Sequence, residues 1–403
     1  MSDPIGKRPL ISRRQCLKLL ASGLAAGFVI PQADSAVVAA QKDFARRETD
    51  GLTVRVARPL DAETPAREFA SFLTPNHRFF VRSHFGPPPA EKTDESQWRL
   101  NVDGVVERPL VFTMKSLREL EPVTIAAVLQ CSGNGRAYHR PRVPGVQWER
   151  GAVGNAQWTG VRLRDVLGAV GVGAQGRHVQ FQGADRPAVA TVPLFVRSIP
   201  LEKAMHPDTI LAYEMNGEAL PLLHGAPLRV MTPGWMAESC IKWLTDIVVR
   251  SDEATGYYMQ TAYRIPADRA EGGTTKLNAE AMVPVEAMPV KSLIVSPESG
   301  QNLNVGPITI QGVAWAGESR VAKVELSIDE GKTWGTARLL GEDQPYAWRQ
   351  WQFILPAKVP GGLTLICRAT DTRGVQQPAN SPWNPGGFLW NGWDRVTVQV
   401  SAS

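Results

Sequence analysis

Strand-like and helix-like segments are mixed in the chain up to about residue 289. Runs rich in β-branched and apolar residues predict strands at 97–107, 124–130, 179–182 and 228–231. Two further segments, 163–170 and 201–205, have the apolar spacing of short helices. This mixture predicts an α+β body.

The pattern changes after the stretch 281–289, which is rich in Pro, Val and Ala. From there on only short alternating segments occur, separated by Gly, Pro and Asp: 308–313, 321–328, 351–355, 363–369 and 396–400. Such a series predicts an all-β sandwich of roughly 110 residues. We place the boundary near Val290, which gives domains at 41–289 and 290–403.

Residues 1–40 have the features of an export signal. Arg13 and Arg14 precede an apolar run at 19–30, which is too short to span a bilayer, and small residues follow at 35–40. A twin-Arg segment in this context is typical of a cleaved Tat signal, with an ordinary basic arm as the alternative. The interpretation predicts a periplasmic protein.

The charge of the chain argues against a nucleic-acid partner. The formal net charge is +5, and residues 1–40 hold five basic and two acidic residues, so about +2 remains after their removal. No run of Lys or Arg stands out in the remainder. With 43% hydrophobic and 21% charged residues, and no other long apolar run, the composition predicts a globular protein without membrane insertion.

Three cysteines follow residue 40, and one of them has a distinctive setting. Cys131 ends a predicted strand and begins a Gly-rich turn that also carries Arg136. Exposed backbone N–H groups and a nearby guanidinium favour a nucleophilic thiolate or a soft-metal ligand, although a buried structural cysteine remains an alternative. Cys240 and Cys367 lie in apolar strand-like segments typical of a core. No Cys-x-x-Cys or Cys-x-x-Cys-His motif occurs, so we expect no haem in this chain.

From about residue 73 to 400 the chain resembles the sulfite oxidase family of molybdopterin enzymes. The resemblance rests on motifs in a fixed order, which together are far more specific than any one alone. They are Phe79-Phe80-Val81-Arg82-Ser83-His84, Leu129-Gln130-Cys131-Ser132-Gly133-Asn134, Ala212-Tyr213-Glu214-Met215-Asn216-Gly217, His224-Gly225-Ala226-Pro227-Leu228-Arg229, Lys242-Trp243-Leu244 and Ala347-Trp348-Arg349-Gln350-Trp351.

The resemblance assigns roles to ten residues. Cys131 would be the protein ligand to molybdenum, and a soft thiolate suits that metal. Planar guanidinium groups suit an oxyanion, and two fixed cations suit the pterin phosphate. The implied assignments are Arg82, Arg136 and Arg349 for sulfite, His84 and Tyr263 for the active site, His224, Arg229 and Lys242 for the pterin and its phosphate, and Asp185 for the pterin ring, where a plain turn Asp is the alternative.

The resemblance also implies a function and an assembly. It implies molybdenum-dependent oxidation of sulfite to sulfate, with electrons passed to an external acceptor such as a c-type cytochrome; direct use of oxygen is a further option. The C-terminal part resembles an immunoglobulin-like dimerisation domain, which implies a homodimer and places Arg349 on that domain, within reach of the molybdenum pocket. Three alternatives stay open: the sulfane dehydrogenase component of thiosulfate oxidation, a periplasmic molybdenum sulfoxide reductase, and a binding protein that has lost catalysis.

Overall fold

The computed structural model describes residues 51–267 and 281–402. The segment 1–40, with its predicted export signal, lies outside the described residues. Strands dominate both described stretches, and the α-helices are few and short.

The first part of the structure contains fourteen strands. Five of them form one sheet in the order β10-β9-β6-β5 with β11 also paired to β9, and five more form a second sheet in the order β4-β3-β12-β7-β8. Two small hairpins, β1-β2 and β13-β14, flank them. The strands are β1 (Thr53–Ala57), β2 (Leu60–Glu63), β3 (Arg99–Gly104), β4 (Leu110–Thr113), β5 (Pro122–Gln130), β6 (Val153–Arg162), β7 (His178–Gly183), β8 (Val196–Pro200), β9 (Ile210–Met215), β10 (Glu218–Ala219), β11 (Arg229–Met231), β12 (Leu244–Arg250), β13 (Arg264–Pro266) and β14 (Met282–Pro284).

Four α-helices lie in this first part, and the longest shows why its sequence is helical. In α2 the residues Leu163, Val166, Leu167 and Val170 are fully buried, and this spacing places them on one helical face. They pack into the main apolar cluster between the helix and the second sheet. The helices are α1 (Met114–Arg118), α2 (Leu163–Val170), α3 (Leu201–Met205) and α4 (Tyr257–Gln260).

The C-terminal part, as described from 290 to 402, contains strands and no α-helix. Its strands form a four-stranded sheet, β15-β17-β21-β20, and a five-stranded sheet, β16-β23-β22-β18-β19, whose apolar faces share one core cluster. The strands are β15 (Lys291–Ser296), β16 (Asn302–Asn304), β17 (Gly306–Trp315), β18 (Val321–Ser327), β19 (Gly335–Thr336), β20 (Arg338–Leu340), β21 (Arg349–Ala357), β22 (Gly361–Asp371) and β23 (Asp394–Ser401).

The two parts pack against each other. A further apolar cluster takes Val128 and Val153 from the first part together with Leu293, Trp315 and Leu389 from the C-terminal part. Polar contacts reinforce it, since the Trp315 indole donates to the Gln130 side chain at 2.7 Å. The loop that follows β5 is therefore fixed from both sides.

The structure confirms an α+β first part followed by a β-rich second part. The predicted helices coincide with α2 and α3, and the predicted strands correspond to β3, β5, β7, β11, β17, β18, β21, β22 and β23. The pattern missed long strands, among them β6 with ten residues and β12 with seven, as well as short ones such as β19 and β20, which have two and three residues. The boundary near Val290 falls between β14 and β15 and stays a prediction. No helix in the described stretches has the length and apolar character needed to cross a membrane.

Candidate active site

Cys131 stands at the end of β5, where the strand pairing stops and a tight turn begins. Its backbone N–H still donates to Ala152 at 2.9 Å, and its carbonyl accepts from Asn134 N–H at 2.9 Å. A Cβ at Gly133 would lie 2.6 Å from Nη2 of Arg136, so a larger residue here would displace that guanidinium group. The thiol is buried and lines a cavity in the first part.

Arg82 lines the same cavity and is held by the Asp61 carboxylate, which no sequence motif indicates. Its Nη1 donates to both oxygens of Asp61 at 3.2 Å and to the Ser83 carbonyl at 2.7 Å. Burial alone would lower the pKa of Arg82, but Tyr263, Asp61 and Cys131 together raise it. Arg82 therefore remains a fixed cation beside the thiol.

His84 and Tyr263 form a direct contact on this wall of the cavity. The His84 Nε2 and the Tyr263 hydroxyl are 2.8 Å apart, and the imidazole stacks on Phe195 with ring centroids 4.5 Å apart. Burial, followed by the charge of Arg82, lowers the pKa of His84 well below its ordinary value, so the ring is neutral. Burial raises the pKa of Tyr263 to about 12, which keeps the phenol protonated at neutral pH. The pair can accept or donate hydrogen bonds without carrying charge.

Tyr263 also has an unusual backbone. Its φ of 52° lies in the left-handed region, which a bulky side chain rarely adopts. Its carbonyl accepts from Val285 N–H at 2.8 Å, a bond between the ends of the β13-β14 hairpin. Such a conformation persists only where the surroundings hold it, and here it directs the phenol towards His84.

Arg136 lies beside Cys131 rather than on the cavity lining. Its Nε donates to the Gly386 carbonyl at 3.0 Å and its Nη1 to the Val146 carbonyl at 3.0 Å. Burial raises the pKa of the Cys131 thiol, and Arg82 and then Arg136 act against that rise. The two guanidinium groups therefore limit the rise, but the pKa of the Cys131 thiol stays above its ordinary value.

The opposite end of the cavity gathers His224, Arg229, Lys242 and Asp185. Nη1 and Nη2 of Arg229 donate to the carbonyls of His224 and Cys240 at 2.7 and 3.2 Å, whereas its buried Nε has no acceptor in the described part of the chain. Lys242 donates to the Leu223 carbonyl at 2.8 Å. Neither cation forms an ion pair with a carboxylate of the described residues.

Burial is the main cause of the pKa shifts of these four residues. It lowers the pKa of Lys242 to about 7, of Arg229 to about 10 and of His224 to about 3, with neighbouring cations adding to the shift of Lys242 and His224. It raises the pKa of Asp185 to about 6, against the opposing charge of Lys242. An anion placed here would raise the pKa of both Lys242 and Arg229 and so stabilise their charged forms.

Glu238 is a cavity residue that the sequence analysis missed. It is 6% exposed, and neither carboxylate oxygen has a hydrogen-bond partner of good geometry among the described residues. Burial raises its pKa to about 7, with Arg197 as the strongest opposing charge. Glu238 lies on a short 3-10 turn, Ala237–Ser239. Its local sequence is like that of an ordinary surface Glu, so no local signal could have identified it.

The placement of Arg349 corrects an expectation from the sequence. Arg349 begins β21, and its guanidinium contacts the Asp343 carboxylate at 3.4 Å and the Gly341 carbonyl at 3.3 Å. It is not on the lining of the cavity that holds Cys131. The local loop 341–343 holds the Nη atoms of Arg349 within the C-terminal part, whereas its buried Nε has no acceptor among the described residues. The expectation that Arg349 reaches the pocket is therefore wrong for this structure.

The C-terminal part nevertheless reaches the site through a different segment. The Phe388 ring stacks on Tyr263 with centroids 5.2 Å apart and planes 14° apart, and the Leu389 N–H donates to the Ser132 carbonyl at 2.9 Å. Trp390 packs on Gly135, where a Cβ would lie 2.7 Å from the indole. Segment 386–390 thus replaces Arg349 as the link between the two parts.

Comparison with family models agrees with the two parts. Residues 85–258 match the oxidoreductase molybdopterin binding domain, and residues 283–401 match the Mo-co oxidoreductase dimerisation domain.

Named relatives extend the match over most of the chain. It is 37% identical to sulfite oxidase of Gallus gallus over 363 residues, covering 86% of this chain and 77% of the relative. It is 34% identical to sulfite oxidase of Arabidopsis thaliana, covering 87% of this chain and 95% of the relative. Against mitochondrial sulfite oxidase of Homo sapiens the identity is 36%, and 66% of that protein is covered.

A solved structure shows the same architecture. The sulfane dehydrogenase SoxCD from Paracoccus pantotrophus superimposes with a TM-score of 0.71 at 27% identity, covering 93% of this chain and 91% of the matched chain.

Proposed function

Since the chain belongs to the sulfite oxidase family of molybdopterin enzymes, we propose that it oxidises sulfite to sulfate and passes the electrons to an external acceptor, a c-type cytochrome. The observation that carries the proposal is one cavity that brings the Cys131 thiol together with Arg229 and Lys242, two cations without an ion-paired carboxylate among the described residues. In the balanced reaction, sulfite and water give sulfate, two protons and two electrons.

The residues of the cavity fit molybdenum-molybdopterin. The buried Nε of Arg229 lacks an acceptor, and burial depresses the pKa of both Arg229 and Lys242, so an anionic phosphate would supply what the protein leaves open. Cys131 offers a soft sulfur ligand between two guanidinium groups. We assign Cys131 to the metal, His224, Arg229 and Lys242 to the pterin and its phosphate, and Asp185 to the pterin ring.

When bound, the molybdenum centre supplies oxygen-atom transfer and takes up the two electrons. The chain itself binds and orients the substrate. Arg82, locked by Asp61, offers a fixed positive charge beside Cys131, and Arg136 offers a second one behind it. The neutral Tyr263 hydroxyl can donate a hydrogen bond to an oxyanion, while His84 holds that hydroxyl at 2.8 Å. Arg349 has no part in this assignment.

The finer points of organisation belong to the same proposal. We assign 1–40 to a Tat-type signal, 41–289 to the molybdopterin domain and 290–403 to an immunoglobulin-like dimerisation domain, which implies an exported, periplasmic homodimer. The two facing sheets and their common core support the sandwich assignment. The match of 283–401 to a dimerisation domain supports the homodimer.

A second candidate is a sulfane dehydrogenase. The specific observation in its favour is the superposition on SoxCD over nearly the whole chain. We prefer sulfite as the substrate, because the sequence identities to sulfite oxidases are higher than the identity to SoxCD.

Reduction of ferricyanide by purified, molybdenum-loaded protein tests the proposal. We expect sulfite to sustain turnover and thiosulfate alone to give none. Metal content measured on the same sample separates an inactive protein from an unloaded one. Loaded protein that ignores sulfite would refute the proposal, and a response only to protein-bound sulfane sulfur would favour the second candidate.

A further inference from the structure

A second cavity, which shares no lining residue with the active site, lies beside the segment 138–141 that follows the Cys131 loop. Its volume is about 550 Å³, within the range of small-molecule sites. It is bounded by the segment that follows Cys131 and by the C-terminal segment 379–395. Four aromatic side chains contribute to its walls: Tyr138, Trp383, Trp390 and Trp393.

These aromatic walls are rigidly placed. The Trp383 indole donates to the Pro141 carbonyl at 2.8 Å, and the Trp393 indole donates to the Gln377 carbonyl at 3.0 Å. Tyr138 and Trp390 contact each other with centroids 4.9 Å apart. Fixed aromatic faces bind a planar ring with little loss of side-chain entropy.

The charges on the lining are mainly positive. Three arginines, Arg140, Arg150 and Arg395, line the cavity together with one carboxylate. Arg395 pairs with Glu330 outside the lining at 3.0 Å, and the carboxylate of the lining is Asp394. That carboxylate is already engaged, because Arg150 donates to it at 2.5 Å and Ile294 N–H at 2.8 Å. Arg140 forms no ion pair with any carboxylate of the described stretches, and its Nη1 is held by the carbonyls of Ala137 and His139.

Two lining residues have nitrogen atoms without a hydrogen-bond partner among the described residues. They are Nε2 of His139, which is 2% exposed, and the buried Nε of Arg150. Behind the wall, the fully buried Lys291 places its Nζ 4.8 Å from the Trp390 ring centroid. Among the lining residues that the structure describes, Arg140 is the arginine that forms no ion pair with a carboxylate, so it is the cation that an anionic ligand would contact.

We propose that this cavity is a binding site for a planar aromatic anion, with the ring against the tryptophans and the carboxylate or sulfonate on Arg140. The site is distinct from the cavity of Cys131, and the proposal does not depend on sulfite being the substrate. It meets the Cys131 loop directly, since Trp390 packs on Gly135.

Isothermal titration of the purified full-length protein with 2-naphthoate tests the proposal. We expect saturable binding of one ligand per chain, whereas the uncharged 2-naphthalenemethanol and the non-aromatic cyclohexanecarboxylate should each bind at least about tenfold more weakly. Equal binding of 2-naphthoate and either analogue would overturn the chemical class, and absence of binding would overturn the site.

Two arginine variants form a matched pair for the location. Arg140→Met should weaken 2-naphthoate binding about tenfold or more, because a charge-assisted contact is lost. Arg177→Met is the control: this exposed arginine also donates through Nη1 to the carbonyls three and one positions before it, at 2.8 and 2.7 Å. It should bind like the unmodified protein, and equal effects of the two changes would refute the location.

A tryptophan variant and competition with sulfite test the position of the ligand independently of the two arginine variants. Trp383→Leu, which removes one aromatic wall, should weaken binding roughly threefold to tenfold. Saturating sulfite should leave 2-naphthoate binding unchanged, and competition by sulfite would assign the ligand to the other cavity and overturn the proposal. Sulfite oxidation measured on Arg140→Met reports on the proposed function separately.

Discussion

The active-site cavity and the C-terminal part differ in whether their buried charged side chains have ion-pair partners. In the C-terminal part Glu325 pairs with Lys323 and Arg368, and Asp394 accepts from Arg150 and a backbone N–H. In the cavity, Arg229 and Lys242 have no ion-paired carboxylate among the described residues. Burying a charge without a partner is costly, so the cavity is arranged for a ligand that supplies the missing charge.

The thiols of two buried cysteines, Cys131 and Cys367, can be compared in the same way. Burial raises the pKa of Cys367, Asp394 raises it further, and its thiol donates weakly to the Ser292 hydroxyl at 3.4 Å. Burial also raises the pKa of Cys131, but two arginines oppose that rise. The difference is the charge of the neighbours rather than the degree of burial, and it separates a core thiol from a ligand thiol.

The largest effect on activity is expected when each of these two cysteines is replaced by serine in a separate variant. Cys131→Ser should lower sulfite oxidation more than about a hundredfold while the fold is kept, because a hydroxyl is a poor ligand for a soft metal. Cys367→Ser should keep nearly full activity. Ferricyanide reduction, with circular dichroism as the check on folding, measures both. Activity of Cys131→Ser close to that of Cys367→Ser would remove the metal-ligand assignment.

The next effect compares a cavity arginine with an arginine of the C-terminal part. Arg229→Met should lower molybdenum occupancy, with a loss of cofactor affinity of about tenfold to a hundredfold, because the phosphate loses a fixed cation. Arg349→Met should change neither the metal content nor the KM for sulfite by more than about twofold, since it pairs with Asp343 instead. Elemental analysis and steady-state kinetics measure these quantities. A tenfold rise of KM in Arg349→Met would return that residue to the substrate site.

A smaller effect tests the contact between the two parts. Phe388→Leu should lower kcat/KM roughly twofold to tenfold, because Tyr263 loses the ring that stacks on it at 5.2 Å. Phe353→Leu, a partly buried change on β21, serves as the control and should leave kcat/KM unchanged. Identical kinetics for the two variants would mean that the C-terminal part does not position Tyr263.

The smallest effect on activity is expected at Lys291, which is the exception to the pairing of charges in the C-terminal part. Burial lowers its pKa to about 7, against the opposing charge of Asp394. Between pH 7 and about 10 the unfolded chain then binds a proton that the folded chain lacks, so the free energy of unfolding rises with pH by up to about 1.4 kcal/mol per unit.

Lys291→Met should remove this part of the pH dependence and leave sulfite oxidation intact. Denaturant unfolding at pH 7, 8 and 9 measures the slope, with Lys358→Met, an exposed lysine of the same part, as the control. Lys242 contributes a pH dependence of the same sign in both variants. The difference between the slopes of the two variants therefore reports on Lys291. The same slope in the two variants would contradict a neutral, buried Lys291.

Local patterns and motifs were sufficient to predict the family and many of the helices and strands. Local periodicity decided α2, whose four buried residues lie on one helical face, and the alternation after residue 306 decided the long strands of the C-terminal part. The motifs around Arg82, Cys131, Arg229 and Lys242 identified residues that the fold brings into one cavity, because such motifs encode chemistry as well as local shape.

The distant side chains that complete the site could be identified only from the tertiary structure. Asp61 reaches Arg82 across 21 positions of sequence and Phe388 reaches Tyr263 across more than a hundred, and neither lies in a motif. Arg349 lies in a motif, yet its strand register and the loop with Asp343 hold it within the C-terminal part. A motif fixes the identity of a side chain, whereas its contacts depend on how separate elements pack, and local patterning does not contain that information.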